Sequence, residues 1–316
     1  MYYIQAASSI THQATFQNPG FFSSIHKIDP EAELVQPAYK EFIDPRSLRR
    51  MSKILRMSLA CAKDCLIQAN IDQPGALIVG TGLGALNDTE KFLKSFISAS
   101  KDALIPPTSF IQSTHNTIAG QLSLLLKNHN YNMTHTQNSL SFELALQDGL
   151  LNLDEGLPNV LVGAADEQID FLDFLSQKLN FNPLQLTSGS SFFALSKNKD
   201  EKSLAQITDV QSIGLFSSFR KCVDAFLEKN RLSPNKIDLI LFSTLNAAQI
   251  AEIQGIFKEN KIINYTDYCG AYMTNAAFAC HWAADEISHE NYKRIVVCNN
   301  LNPENLGLTL IEKCEV

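Results

Sequence analysis

The sequence predicts an α/β fold made of two similarly wound halves, and three observations carry that reading. Short β-branched or apolar runs alternate with longer helical patterns along the whole chain. One order of elements (strand, helix, strand, helix, strand, helix, strand, strand) is met in residues 1–200 and again in residues 201–316. Strands separated by helices of that length imply parallel βαβ units. With 316 residues, 45% of them hydrophobic, the chain can fill a sizeable core and is not disordered.

Each element has its own signal. Residues 3–10 read as the first strand, followed by a polar loop to about Ile43. Asp44 is a natural N-cap with Pro45 at the first helical position, opening a helix expected to run to Ala69. Its apolar residues Leu48, Met51, Ile54, Leu55, Met57, Leu59 and Ala62 recur near the helical period. A strand is expected at 76–80, a helix at 117–127, an extended run at 131–137 and a helix at 140–154. Strands at 159–163 and 190–196 close the first half. The second half repeats the pattern, with strands expected at 204–213, 237–242, 261–265, 294–298 and 306–312. Its helices are expected at 219–231, 247–258 and 271–289. The final two strands of each half, joined without a helix, would add an antiparallel edge.

Composition excludes several classes. The net charge is −7 and no Lys/Arg block stands out, so a dominant nucleic-acid role is not expected. The apolar runs at 238–242 and 294–298 are far short of the ~20 residues a membrane helix needs. The first nine residues show no basic stretch before an apolar one, so no signal peptide is expected and a cytoplasmic location is. Seven cysteines are scattered without a CxxC, and Cys61 and Cys65 read as small buried hydrophobes. Gly80-Thr-Gly-Leu-Gly84 is spaced G-x-G-x-G rather than G-x-G-x-x-G, and reads as a tight turn rather than a dinucleotide cradle. No P-loop, HExxH or GxSxG occurs, and the His residues are dispersed, so neither metal nor cofactor is expected.

The informative stretch is Pro107-Thr-Ser-Phe-Ile-Gln-Ser-Thr-His-Asn-Thr-Ile-Ala-Gly-Gln-Leu-Ser123, preceded by Ile105 and Pro106. It resembles the thiolase-like β-ketoacyl synthases, whose segment reads P-x-x-F-x-x-S-x-x-N-x-x-A-G-x-x-S. Three further segments agree in order. Asp44-Pro-Arg-Ser-Leu-Arg-Arg-Met51 resembles the family's D-x-R-x-x-R-R-M helix start, and Ile78-Val-Gly-Thr-Gly-Leu-Gly84 its strand and turn. Gly156 through Glu167 resembles G-x-x-D-x-x-L-x-G-G-x-(D/E)-E. The resemblance covers residues 1–200 by motif and the rest by element order. It implies a thiolase-like fold of two pseudo-duplicated βαβαβαββ halves with stacked mixed sheets, an N-terminal half at 1–200 and a shortened C-terminal half at 201–316.

The same resemblance fails where the chemistry should be. The family's Cys nucleophile sits just after a strand at a helix start, where N–H groups and the helix dipole favour a thiolate. The corresponding position here is Ser139 or, with a two-residue shift, Gln137, and no Cys occurs between residues 66 and 221. The family's two catalytic His positions fall on Ser243 and Ala271, Thr266 replaces a Lys, and the Gly-rich loop is replaced by residues 299–305.

What the resemblance then implies is a chain length factor, a non-catalytic subunit that forms a heterodimer with an active ketosynthase and shapes its acyl tunnel. An acyl carrier protein is a further possible partner. The short length resembles synthase-like proteins of bacterial aryl-polyene and flexirubin-type pigment clusters. Phe110, Thr114 and Ile118 are the candidate tunnel-lining residues, with ordinary packing roles as the alternative. Residues 131–137, with only Met133 strongly apolar, are expected to form an edge that pairs across the interface. Two other readings stay open. One is a stand-alone acyltransferase or hydrolase using Ser139 or Cys269; the other is a non-catalytic acyl-binding protein that pairs with itself.

Overall fold

The computed structural model describes residues 1–99, 107–179, 185–244 and 246–314. Ile105 and Pro106 of the Pro-rich motif, and Leu245, lie outside the described residues.

The chain begins with β1 (Tyr2–Ile10), then α1 (Pro45–Leu48) and α2 (Lys53–Gln68). Asp44 caps α1 as expected, its carboxylate accepting from the N–H groups of Arg46 and Ser47. The single helix expected to Ala69 is instead two, because the chain leaves the helix at Arg49 and restarts after Ser52. There follow β2 (Ala76–Gly80), α3 (Leu86–Ser98), α4 (Pro107–Gln112), α5 (Thr117–Leu126) and β3 (Tyr131–His135). The half closes with α6 (Ser141–Asp154), β4 (Val160–Asp166), α7 (Asp170–Lys178) and β5 (Gly189–Ser196).

The second half opens with β6 (Ala205–Gly214), α8 (Phe219–Lys229), β7 (Leu239–Thr244) and α9 (Ala247–Ile256). It continues through β8 (Lys261–Asn264), α10 (Thr266–Cys269), α11 (Ala276–Ser288), β9 (Arg294–Asn300) and β10 (Asn305–Glu312). Four helices, α3, α4, α7 and the four-residue α10, were not expected from the sequence. The first three leave large apolar side chains exposed, such as Ile97, Ile111 and Phe174.

The strands follow the order β3-β2-β4-β5-β1-β6-β10-β9-β7-β8. The second five repeat the topology of the first in mirror order. Within each half three strands are parallel, β3-β2-β4 and β9-β7-β8, as the helical crossovers require. The antiparallel strands β5 and β10 are interior, between β4 and β1 and between β6 and β9, so they are not the edge that was expected.

The two mixed half-sheets stack as expected, and they are also joined edge to edge. Residues Tyr2–Ile4 of β1 pair antiparallel with Ala205–Ile207 of β6, so one hydrogen-bonded ladder runs through both. The two half-sheets face each other across a helix layer made of α6 and α11. Helix α6 packs on β2, β4, β6 and β10, and α11 on β1, β5, β9 and β10. Every residue from Ala276 to Ile287 of α11 is buried, as a helix covered on both sides must be. Helices α2 and α5 cover the outer face of the first half-sheet, and α8 and α9 that of the second. Strands buried on both faces explain the uninterrupted apolar runs of β2, β4 and β7.

Candidate functional site

The centre of interest is the elbow between edge strand β3 and the buried helix α6. Asn138 takes a left-handed conformation there (φ 52°), and its side-chain oxygen accepts from the Ser139 N–H at 2.8 Å. Asn tolerates that region better than most residues. The Gln137 N–H donates to Ser141 Oγ (2.8 Å), which donates to the Asn138 carbonyl (2.7 Å). Gly80, at the end of β2, allows the close approach: a Cβ there would stand 2.4 Å from the Ser141 carbonyl oxygen. The apex of the elbow is thus Asn138, which falls between the two positions, Gln137 and Ser139, that the sequence offered. Gln137 and Asn138 are exposed, while Ser139 is buried.

Below the elbow the two halves meet in a closed polar network. Asn299 Nδ2, from β9, donates to the Ser139 carbonyl (2.7 Å) and to Glu143 Oε1 (2.8 Å). Asn299 Oδ1 accepts from Ser243 Oγ (3.3 Å), and Ser243 Oγ accepts from the Tyr265 hydroxyl (2.8 Å). Asn305 Nδ2 donates to Ser139 Oγ at 3.2 Å. The fold therefore joins Ser139 and Ser243 through one amide. Ala271 is not joined to them; it bridges to Leu186 and exchanges backbone hydrogen bonds with Gln185 and Thr187. Sequence reasoning missed Glu143, Asn299 and Tyr265. The Asn-rich run at 299–305 carried the usable signal, since two of its members reach Ser139.

The network is electrostatically quiet. Burial pushes the Glu143 carboxyl up to about 7, against the Asn299 hydrogen bond, and its Oε2 has no partner. The side chain fits because residue 307 is glycine, whose added Cβ would lie 2.3 Å from Glu143 Oε1. Burial also pushes the Tyr265 hydroxyl and the Cys298 thiol up. The partner of the Ser139 hydroxyl is an amide N–H, which cannot accept its proton. A serine so placed lacks the adjacent base that activates a hydroxyl nucleophile.

Cys269 does not replace it. The thiol lies at the end of the four-residue α10, not at a helix start, and donates to the Gly270 carbonyl at 3.3 Å. Burial pushes its pKa up, the opposite of activation. The His residues are engaged elsewhere: His135 Nε2 meets Asp148 at 2.8 Å, and His281 Nδ1 meets Ser9 Oγ at 2.8 Å in the core.

The Gly80–Gly84 turn is filled by the chain itself. Asp166 accepts from the N–H groups of Gly82 (3.0 Å) and Leu83 (2.9 Å) and from the Thr81 (3.1 Å) and Thr274 (2.8 Å) hydroxyls. A nest of N–H groups satisfied by an internal carboxylate offers nothing to a pyrophosphate. Next to it, Glu167 accepts from the Asn87 N–H at the start of α3, and burial pushes its carboxyl up to about 7. Among the described residues, no group of three or more His, Cys, Asp or Glu could hold a metal ion, and no helix is long and apolar enough to cross a membrane.

The three tunnel candidates do not share one environment. Phe110 is exposed on α4 with its ring 5.6 Å from that of Phe92. Thr114 is half-buried, its hydroxyl donating to the Ile111 carbonyl. Ile118 is wholly buried in the core under α2 and α5, which is the ordinary packing role.

Two matching halves around a buried helix pair define the thiolase-like class of ketosynthase folds. Solved structures agree. "The ishigamide ketosynthase/chain length factor" superposes with a TM-score of 0.82 at 15% identity, covering 99% of each chain. A ketosynthase in complex with its chain length factor from Xenorhabdus doucetiae gives 0.76 at 13% identity, covering 99% of this chain and 98% of that one. A type II PKS acyl-carrier protein in complex with its ketosynthase bound to the hexaketide gives 0.79 at 13%, with 99% of each chain covered. Residues 25–233 match the family described as beta-ketoacyl synthase, N-terminal domain, and the chain belongs to that family. No curated protein matches the sequence.

Proposed function

We propose that this chain is a non-catalytic ketosynthase-like subunit, a chain length factor, that pairs with an active β-ketoacyl synthase in polyketide, polyene or fatty-acid-like biosynthesis. The observation that carries the reading is the closed network of Ser139, Asn299, Ser243, Tyr265 and Glu143 where the resemblance expects a Cys and one of its two His, with Ala271 at the other His position. Its members hold one another and the two halves together, and the Ser139 hydroxyl meets an amide N–H instead of a base.

The edge supports a partner. Strand β3 is terminal in the ladder, and Tyr131 and Met133 are exposed on it. An unpaired edge of this kind is an association hazard unless another strand covers it. The fold also exposes apolar side chains on two helices, Leu93, Phe96 and Ile97 on α3 and Phe110 and Ile111 on α4. Similar structures pair a ketosynthase with its chain length factor, and one includes an acyl-carrier protein. In this reading the halves divide near residue 200, the complex works in the cytoplasm, and Phe110 and Thr114 face the shared tunnel. An aryl-polyene or flexirubin-type pathway is the setting in this reading.

The test is co-expression with each ketosynthase encoded nearby, followed by size exclusion and product analysis. A heterodimer burying well over the ~1,200 Å² of a stable interface is expected. Thr114→Phe should shorten the products while the complex stays assembled. Unchanged products would remove the tunnel role, and no co-purifying ketosynthase would remove the pairing. Assembly only with itself would favour the self-pairing acyl-binding reading.

A separate expectation concerns activity. The purified chain alone should neither condense acyl and malonyl thioesters nor decarboxylate malonyl groups, because losing positioned acid–base and oxyanion groups costs several powers of ten. Robust turnover abolished by Ser139→Ala or Cys269→Ala would establish the enzyme reading instead.

A further inference from the structure

A second polar concentration lies away from the elbow, where the starts of α2 and α3 converge. A pocket of about 290 Å³ opens there, with Arg49, Arg50, Arg56 and Lys91 around it and Ser52 and Asp88 in its lining. Four cations share this small space in a chain of net charge −7. Among the described residues, none of the four is in a salt bridge. One of them is held in place: Arg56 Nε donates to the Met51 carbonyl at 3.0 Å. Gln112 Nε2 donates to the Arg50 backbone carbonyl at 3.2 Å, which fixes the chain beside it.

The floor is different in kind. Ser52 is the residue before α2, a 16-residue helix, but its hydroxyl makes no capping bond. Ser52 Oγ and Asp88 Oδ2 both lack a hydrogen-bond partner, in residues only 9% and 7% exposed. Buried polar atoms are rarely left so unless something outside the chain completes them. Cations at the rim and the positive end of α2 attract an anion. The Asp88 carboxylate repels a bare one. A ligand that satisfies both presents its charge to the rim and a hydrogen-bond donor to the floor.

We infer that this pocket binds a phosphorylated small molecule carrying a hydroxyl close to its phosphate, of the sugar-phosphate class. Arg49, Arg50, Arg56 and Lys91 take the phosphate oxygens, and Asp88 and Ser52 take the hydroxyl. Arginine suits the first task because its planar fork matches phosphate oxygens. The carboxylate then selects for the hydroxyl, since an acceptor left unpaired against a bound anion is unfavourable.

The experiment is calorimetric titration of the full chain with ribose 5-phosphate, inorganic phosphate and ribose. Ribose 5-phosphate should bind at least roughly tenfold more tightly than either of the others, as one charge-assisted hydrogen bond provides. Arg50→Ala combined with Arg56→Ala should weaken both phosphates by more than tenfold. Ser52→Ala should narrow the preference for the sugar phosphate and leave inorganic phosphate unchanged. Lys91→Ala, at an exposed position, serves as a rim variant with no packing role and should weaken both phosphates. Equal affinity for the two phosphates, or no saturable binding of ribose 5-phosphate, would overturn the inference. So would arginine-dependent binding of an acidic carrier protein without any binding of ribose 5-phosphate. No ketosynthase partner is needed, so the outcome is independent of the chain-length reading.

Discussion

Asn299→Ala is expected to destabilise the fold by roughly 4 kcal/mol, read as a lower urea midpoint at pH 7. One side chain serves four buried groups: the Ser139 carbonyl, Glu143 Oε1, the Ser243 hydroxyl and the Leu301 N–H. Alanine would take a partner from each of them, and each buried orphan costs about 1–3 kcal/mol. It would also leave a void between α6 and β9. That sum is a large fraction of the 5–15 kcal/mol by which a typical domain is stable. A double-mutant cycle with Glu143→Gln should show the two residues strongly coupled, because they share a hydrogen bond. A loss under about 1 kcal/mol would mean that the halves are not held together through this network.

The second large effect is on pH dependence. Burial holds the Glu143 carboxyl up near 7, against an ordinary value of 4.5. Between those values the folded protein keeps a proton that the unfolded chain has released. The stabilisation tied to that proton is complete below pH 4.5 and is lost as the pH rises through 7. A shift of this size corresponds to roughly 3 kcal/mol. Glu167 acts in the same direction and over the same window. Histidine acts oppositely: burial holds His281 down near 3, and lowers His12 too, so both resist protonation that the unfolded chain accepts below 6.5.

These contributions oppose each other in the parent protein, so its own pH profile does not isolate Glu143. Comparison with Glu143→Gln isolates the carboxyl. The stability of the variant relative to the parent should rise with pH by about 1.4 kcal/mol per unit between pH 5 and 7, then level off. A difference that stays constant from pH 5 to 8 would mean that Glu143 is not buried as a neutral acid.

Much of the architecture was legible because local rules and tertiary demands coincide along these strands. Strands buried on both faces, such as β4 and β7, are apolar over most of their length, and such runs stand out in any reading of the chain. Asp44 and Pro45 mark a helix start by side-chain chemistry that operates within a few residues. The Gly80–Gly84 spacing was correctly read as a turn, though its occupant, Asp166, comes from another strand. Helices α3, α4 and α7 were not read from the sequence, and each carries large apolar side chains that stay exposed in this chain. These apolar faces fit association better than burial in one chain.

The site divides in the same way. The sequence by itself determined that no cysteine stands between residues 66 and 221, and that serine and alanine occupy the positions where the resemblance expects histidines. Those are statements about residue identity, and identity needs no coordinates. Only the tertiary structure decided that Asn138 is the apex of the elbow, since its left-handed backbone is forced by the packing of β2 against α6. Only the tertiary structure brought Asn299 to Ser139 and Glu143, residues about 160 positions away along the chain. It also placed α6 and α11 between the stacked half-sheets. Contacts between distant strands depend on how two halves dock, and a buried amide that bridges them leaves no local pattern to read.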